Sequence, residues 1–176
     1  FLQRDLASLP AEQQENRARD SLSSGNTSEM AEAYVAVIAL LADNDDPDPD
    51  LVLLAADLAF GASGITDVFT SILQDPDSLT GAATEELTGL LELLDLDLIA
   101  EGAVHVQNAA TADADIADTQ YIIAAAALLA GAAEKAGSFE DLATLTAVDD
   151  GYDELQDAEA FLEAAGASDL LEMFSL

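Results

Sequence analysis

Apolar residues recur along this chain at steps of three and four, the spacing of one face of an α-helix. Met30, Ala33, Tyr34, Val37, Ile38 and Leu41 make one such face. Leu51, Leu54, Ala55, Leu58 and Ala62 make a second, and Ile65, Val68, Phe69, Ile72 and Leu73 a shorter third that stops at Asp75-Pro76. Leu87, Leu90, Leu91, Leu94 and Leu98 mark a further helix, with leucines on so many sides that most of its circumference is expected to be buried. Val104 to Val106 then alternates around His105, too briefly for a strand. The stretch from Asp113 to Ala136 carries Ile116, Ile123, Ala126, Ala127, Ala130 and Gly131. Its small residues let neighbouring helices come close, so this helix is expected in the middle of the fold. Three shorter helices are expected near 138–148, 151–165 and 168–175. No convincing strand pattern occurs. The expected class is all-α, a multi-helix bundle or orthogonal helical array of about seven to nine helices, with residues 1–176 as a single all-helical domain.

Local chemistry places the boundaries. Ser8 and Pro10 predict a helix start, and Ser23-Ser24-Gly25-Asn26 predicts its end. Asn26-Thr27-Ser28-Glu29 reads as a capping box for the next helix. The acidic run Asp43 to Asp50, with Pro47 and Pro49, separates that helix from its successor. Gly61-Ala62-Ser63, Ala136-Gly137-Ser138 and Gly166-Ala167-Ser168 echo one another. In each, glycine is expected to end one helix left-handed and serine to cap the next. The spacings differ, so the echo reads as recurrent corner chemistry rather than a repeat array.

Charge changes the picture more than any motif. The chain has 36 acidic residues and four cationic ones, for a formal net charge of -32. Repulsion on this scale opposes compaction in dilute buffer. Disorder is the first way to accommodate it, but disorder requires low hydrophobicity, and this chain is 51% apolar. Concentrated salt is the second. The Debye length falls to about 3 Å at 1 M, so neighbouring surface carboxylates scarcely interact. An apolar core, 36 alanines, one lysine and carboxylates nearly everywhere else resemble the composition of cytoplasmic and virus-borne proteins of extremely halophilic archaea. The resemblance implies a surface solvated by salt cations, in the cytoplasm of an extreme halophile or in a virion.

Several function classes fall away. Cysteine is absent, so disulfides, thiolate metal sites and cysteine nucleophiles are excluded. The longest apolar run, Tyr121 to Ala133, has thirteen residues, too few to span a bilayer as a helix. The first residues show no basic-then-apolar pattern, so no secretory signal is expected in them. Nucleic-acid binding needs clustered lysine and arginine, and only Arg17 and Arg19 lie close together. Residues 1–20 hold Arg4, Arg17 and Arg19 against Asp5, Glu12, Glu15 and Asp20, and are nearly neutral. Residues 1–22 therefore read either as a helix with local ion pairs, such as Glu15 with Arg19, or as an arm that docks on an acidic surface. The apolar end, Leu170, Leu171, Met173, Phe174 and Leu176, is expected to dock on its own domain or on a partner.

Candidate chemistry is sparse. Asp46, Asp48, Asp50 and Asp57 stand at positions 1, 3, 5 and 12 of a calcium-loop spacing, so calcium is the one cofactor the spacing suggests. Leu51 replaces the glycine of the sharp turn, and Asp57 is shorter than the usual bidentate glutamate. The competing expectation is a proline-stiffened acidic loop that caps a helix. His105, the single histidine, is expected to be a half-buried structural ring. No catalytic or cofactor-binding residues are expected, and no phosphate loop, nucleophile elbow or HExxH pattern occurs. The functional expectation is a non-enzymatic adaptor, scaffold or assembly component with a protein partner or a second copy of itself. A haloarchaeal virus structural protein is one version. A ligand carrier or enzyme with an interhelical pocket is the rival class.

Overall fold

The computed structural model of the chain describes residues 9–44, 46–66, 94–112, 114–138 and 140–169. Six α-helices and one 3-10 turn occur among the described residues, with no strand. They are α1 (Ala11–Ser24), α2 (Thr27–Ala42), α3 (Pro49–Ser63), α4 (Leu96–Thr111), α5 (Asp118–Ala136), the 3-10 turn Glu140–Thr144, and α6 (Tyr152–Ala164). The all-α class is as expected, and seven to nine helices is slightly more than the number found. The expected helix over Ile65 to Leu73 lies mostly outside the described residues, as do Leu87, Leu90, Leu91 and the C-terminal residues 170–176.

The helices start and stop for local reasons. Asn26 Oδ1 accepts from the amides of Ser28 and Glu29, at 3.0 and 3.3 Å, and so caps α2. The box is not reciprocal as expected. Glu29 accepts from the Asn26 side-chain amide, while the Asn26 backbone N–H donates to Ser24 Oγ. Asp48 caps α3 by accepting from the Asp50 amide, with Pro49 in the first turn, where its missing N–H costs nothing. Asp95 accepts from the Leu98 amide and opens α4. That cap corrects the reading of Leu94 as mid-helix and of 104–106 as an alternating stretch. His105 lies inside α4, two and a half turns from its start.

The corners are partly as read. Gly137 ends α5 at φ 103°, and Ser138 Oγ accepts from the Asp141 amide beyond it. At the first corner the closing residue is Gly64, at φ 84°, and Gly61 lies within α3. Gly61 serves packing instead, because the Met30 thioether of α2 occupies the space where a Cβ would sit.

α3 is the hub, packing against α1, α2 and α4. Its residues from Val52 to Phe60 are buried except half-buried Asp57. The sequence pattern predicted one apolar face there, but the short apolar run is buried on nearly every side. Leu54, Ala55, Leu58 and Ala59 join Ala18 of α1 and Met30, Ala33, Tyr34 and Val37 of α2. Ala56 and Phe60 point into a second cluster, with Ile99 and Val106 of α4, Ala124, Ala125 and Leu129 of α5, and Leu155, Phe161 and Leu162 of α6. α5 packs on α4, the 3-10 turn and α6. Ala127 is 1% exposed, as expected for the Ala-rich seam.

Candidate functional site

The chain's single histidine stands in a polar cluster between α2 and α4. Glu101 and His105 are four residues apart on α4 and so share a face. Tyr34 reaches that face from α2. Its hydroxyl donates to Glu101 Oε2 at 2.5 Å and lies 3.2 Å from His105 Nε2. Its ring meets the imidazole edge-on, with centroids 6.0 Å apart. Because the phenol proton is committed to Glu101, the imidazole must donate from Nε2 to the phenol oxygen. This selects the Nε2–H form of a neutral ring.

Electrostatics hold the cluster in one protonation state. Burial, then the hydrogen bond and negative charge of Glu101, push the Tyr34 phenol well above its ordinary range. Burial pulls His105 below its usual value, outweighing the attraction of Glu101. At neutral pH the phenol keeps its proton and the imidazole stays uncharged. A phenol so held is a poor base and a poor nucleophile. The cluster is therefore suited to joining α2 to α4 with directional bonds, and it leaves α4 without added charge.

A second polar tie crosses between α3 and α5. Gln120 Nε2 donates to both oxygens of Asp57, at 3.0 and 3.2 Å, while its Oε1 accepts from the Ala117 amide at the start of α5. One side chain thus closes a helix terminus and satisfies a half-buried carboxylate. Burial raises the Asp57 pKa, opposed by the Gln120 hydrogen bond and by the positive charge of Arg19 on α1. Arg19 also pairs with Glu15 at 2.6 Å, the i,i+4 bridge expected from spacing. Lys135 bridges Glu154 and so ties α5 to α6.

The structure does not gather the four loop aspartates. Asp46, Asp48 and Asp50 are exposed. Asp48 is occupied as the cap of α3, and the Asp46 amide donates to Asn44. Nine residues further on, at 1.5 Å each, the helix carries Asp57 about 13 Å along its axis, where it meets Gln120 instead. Calcium ligands all lie within about 2.6 Å of one ion. Among the described residues no group of three or more His, Asp or Glu side chains is arranged to hold a metal.

Two hollows border α5. One is lined by Leu94, Asp95, Leu96, Asp97 and Glu134, the other by Lys135, Ala136, Asp141, Thr144, Leu145, Asp149 and Asp150. Both are open to solvent and lined mostly by polar atoms, unlike the deep apolar clefts that hold small molecules. Among the described residues no helix is long and apolar enough to cross a membrane.

Sequence reasoning missed the Tyr34–Glu101–His105 cluster. The available signal was the four-residue spacing of Glu101 and His105, which carries meaning only once 96–111 is read as helix. Nothing local pointed to Tyr34, 67 residues upstream of Glu101. Compared with protein-family models, curated proteins and solved structures, the chain matches none.

Proposed function

We propose that this chain is a non-enzymatic interaction component, an adaptor, scaffold or assembly protein that works through helix faces in concentrated salt. One observation carries the reading. α2 has no charged residue from Ala33 to Ala42, and α4 has none from Gly102 to Thr111 apart from the uncharged His105. Yet both helices present part of these stretches to solvent, with Val35 69% and Val104 52% exposed. The exposed faces of α1 and α6 instead carry carboxylates, Glu12 and Asp20 on α1 and Asp153, Glu159 and Glu163 on α6. A chain with 36 acidic residues that leaves two partly exposed helical stretches without charge is suited to contact there.

The saline setting rests on the resemblance in composition, and it covers both a cellular protein of an extreme halophile and a component of its virus. The rival class, a pocket enzyme or ligand carrier, needs a deep apolar cleft, whereas the two hollows that border α5 among the described residues are open and polar. Photo-crosslinking tests the reading. A photoreactive residue replaces Val104 in the full-length chain, and an extract of the source organism is irradiated in about 3 M KCl, where surface charge is screened. A discrete protein adduct is the expected result. Absence of any adduct, with the same residue at Val35 also silent, would remove the basis for the reading.

A further inference from the structure

Asn26-Thr27-Ser28 sets a hydroxyl two residues after an asparagine, with no proline between them. This is the acceptor pattern for an N-linked glycan. The chain has four asparagines, and Asn16, Asn44 and Asn108 are followed at that distance by Ala18, Asp46 and Ala110. Asn26 is therefore the one acceptor the sequence offers. So short a pattern also arises by chance, and its surroundings decide whether it can react.

All three residues are exposed, at the corner between α1 and α2. Gly25 turns the chain left-handed there at φ 67°, and beyond its chain neighbours no atom lies within 4 Å of where a Cβ would stand. Asn26 is extended, at φ -93° and ψ 109°, whereas Asn16 and Asn108 lie inside α1 and α4. A transferring enzyme has to bend the chain around the acceptor amide, and a helix end frays more readily than a helix middle. The amide itself divides its work. Oδ1 accepts from the amides of Ser28 and Glu29 and caps α2. Nδ2, the atom that takes the sugar, reaches Glu29 Oε1 at 3.4 Å, longer than an ordinary N–H···O bond. A sugar on Nδ2 leaves Oδ1 its lone pairs, so the cap survives the modification.

We propose that Asn26 is an N-glycosylation site whose sugar donor is a glycan carried on a lipid phosphate. Nδ2 forms a bond to C1 of the sugar while the bond from C1 to the phosphate oxygen breaks. The lipid phosphate leaves with that electron pair, and one Nδ2 proton passes to a base of the transferring enzyme. No oxidant or reductant takes part. Acceptors of this kind lie on surface loops of secreted proteins. A glycan at Asn26 therefore places this corner beyond the cytoplasm, in contrast to the cytoplasmic setting that composition suggests. It asks nothing of the uncharged stretches of α2 and α4, and so is independent of the interaction reading.

Peptide mass spectrometry of the full-length chain purified from its source organism tests this. Cleavage after acidic residues releases residues 21–29, in which Asn26 is the single asparagine. The expected result is the mass of one or more sugars on Asn26, absent from the same chain made in a host without the transferring enzyme. Two variants produced in the source organism show whether the pattern is what directs the addition. Ser28→Ala retains Asn26 and its cap and is expected to lose the sugar. Ser28→Thr retains the hydroxyl and is expected to keep it. An unmodified 21–29 peptide from the source organism overturns the proposal. So does an addition that persists in Ser28→Ala, or one that fragmentation places on a serine of the same peptide instead of Asn26.

Discussion

Tyr34 shows at the smallest scale how this fold uses its few polar interior groups. The residue is 6% exposed, and its hydroxyl has both a charged acceptor and an imidazole donor. Tyr34→Phe keeps the packing but removes both bonds. Glu101 is exposed enough to regain water, so the expected loss is about 1–2 kcal/mol rather than the full cost of a stranded charge. Chemical denaturation at constant salt measures it. The two titrating groups next to these ties act in opposite senses. His105 has a lowered pKa in the folded state, so the unfolded chain takes up its proton first and stability falls as pH drops through about 6.5, the ordinary histidine value. Asp57 has a raised pKa when folded, so its ionisation is easier in the unfolded chain and stability falls as pH rises out of the ordinary aspartate range. Asp57→Asn is therefore expected to raise the melting temperature at pH 7 and to match the wild type near pH 3, where both states carry the protonated acid. A variant less stable at pH 7 would show that the carboxylate's bonds to Gln120 outweigh its burial.

Between elements, two helical glycines have opposite roles. Gly102 of α4 lies against the Phe60 ring of α3, and a Cβ there would stand 2.5 Å from Phe60 Cε1. Phe60 is 1% exposed and enclosed by the core, so the ring has little room to retreat. Gly102→Ala gains helix propensity of up to about 1 kcal/mol but overpacks a tight contact at about 1–3 kcal/mol, and net destabilisation is expected. Gly131 of α5 has open space around it, with no atom of another residue's side chain within 4 Å of where a Cβ would stand. Gly131→Ala therefore keeps the propensity gain and is expected to stabilise by up to about 1 kcal/mol. Thermal melts of the pair, at one salt concentration, decide the matter. Equal effects of the two substitutions would mean that the α3–α4 contact is looser than the Phe60–Gly102 approach indicates.

For the molecule as a whole, the balance lies between a small-residue core and a surface of like charges. Alanine occupies much of that core, with Ala18, Ala55, Ala56, Ala59, Ala109, Ala124, Ala125, Ala132 and Ala158 fully buried. Each buries less apolar area than a leucine and so contributes less hydrophobic stabilisation. Ion pairs add little, since Arg19–Glu15 and Lys135–Glu154 both stand at the surface. Screening of the -32 charge is then expected to carry much of the stability. Circular dichroism from about 3 M KCl down to about 0.1 M, where the Debye length rises to about 10 Å, is expected to show loss of helicity at the low end. Lowering the pH at low salt is expected to restore part of it, because protonating crowded carboxylates removes their repulsion. Full helicity and an unchanged melting temperature at the lowest salt would refute the salt requirement.

Hydrophobic period, capping residues and charge count are properties of short stretches or of the whole composition, and these were enough for the all-α class, the cap at Asn26, the Glu15–Arg19 pair and the burial of Ala127. Each depends on neighbours within about one helical turn, or on spacing that persists in any all-helical packing. Tertiary structure alone decided which glycine closes α3: Gly61 lies within the helix against Met30, while Gly64 takes the left-handed conformation that ends it. It decided that α3 is the hub, since an apolar run on every side reads alike for a central helix and for a peripheral one in a thick core. It sent Asp57 to Gln120 rather than to the loop aspartates, because helical rise separates residues that sequence spacing groups together. It brought Tyr34 to Glu101 and His105 across 67 residues, a meeting set by how α2 and α4 both pack beside α3, which no local pattern encodes.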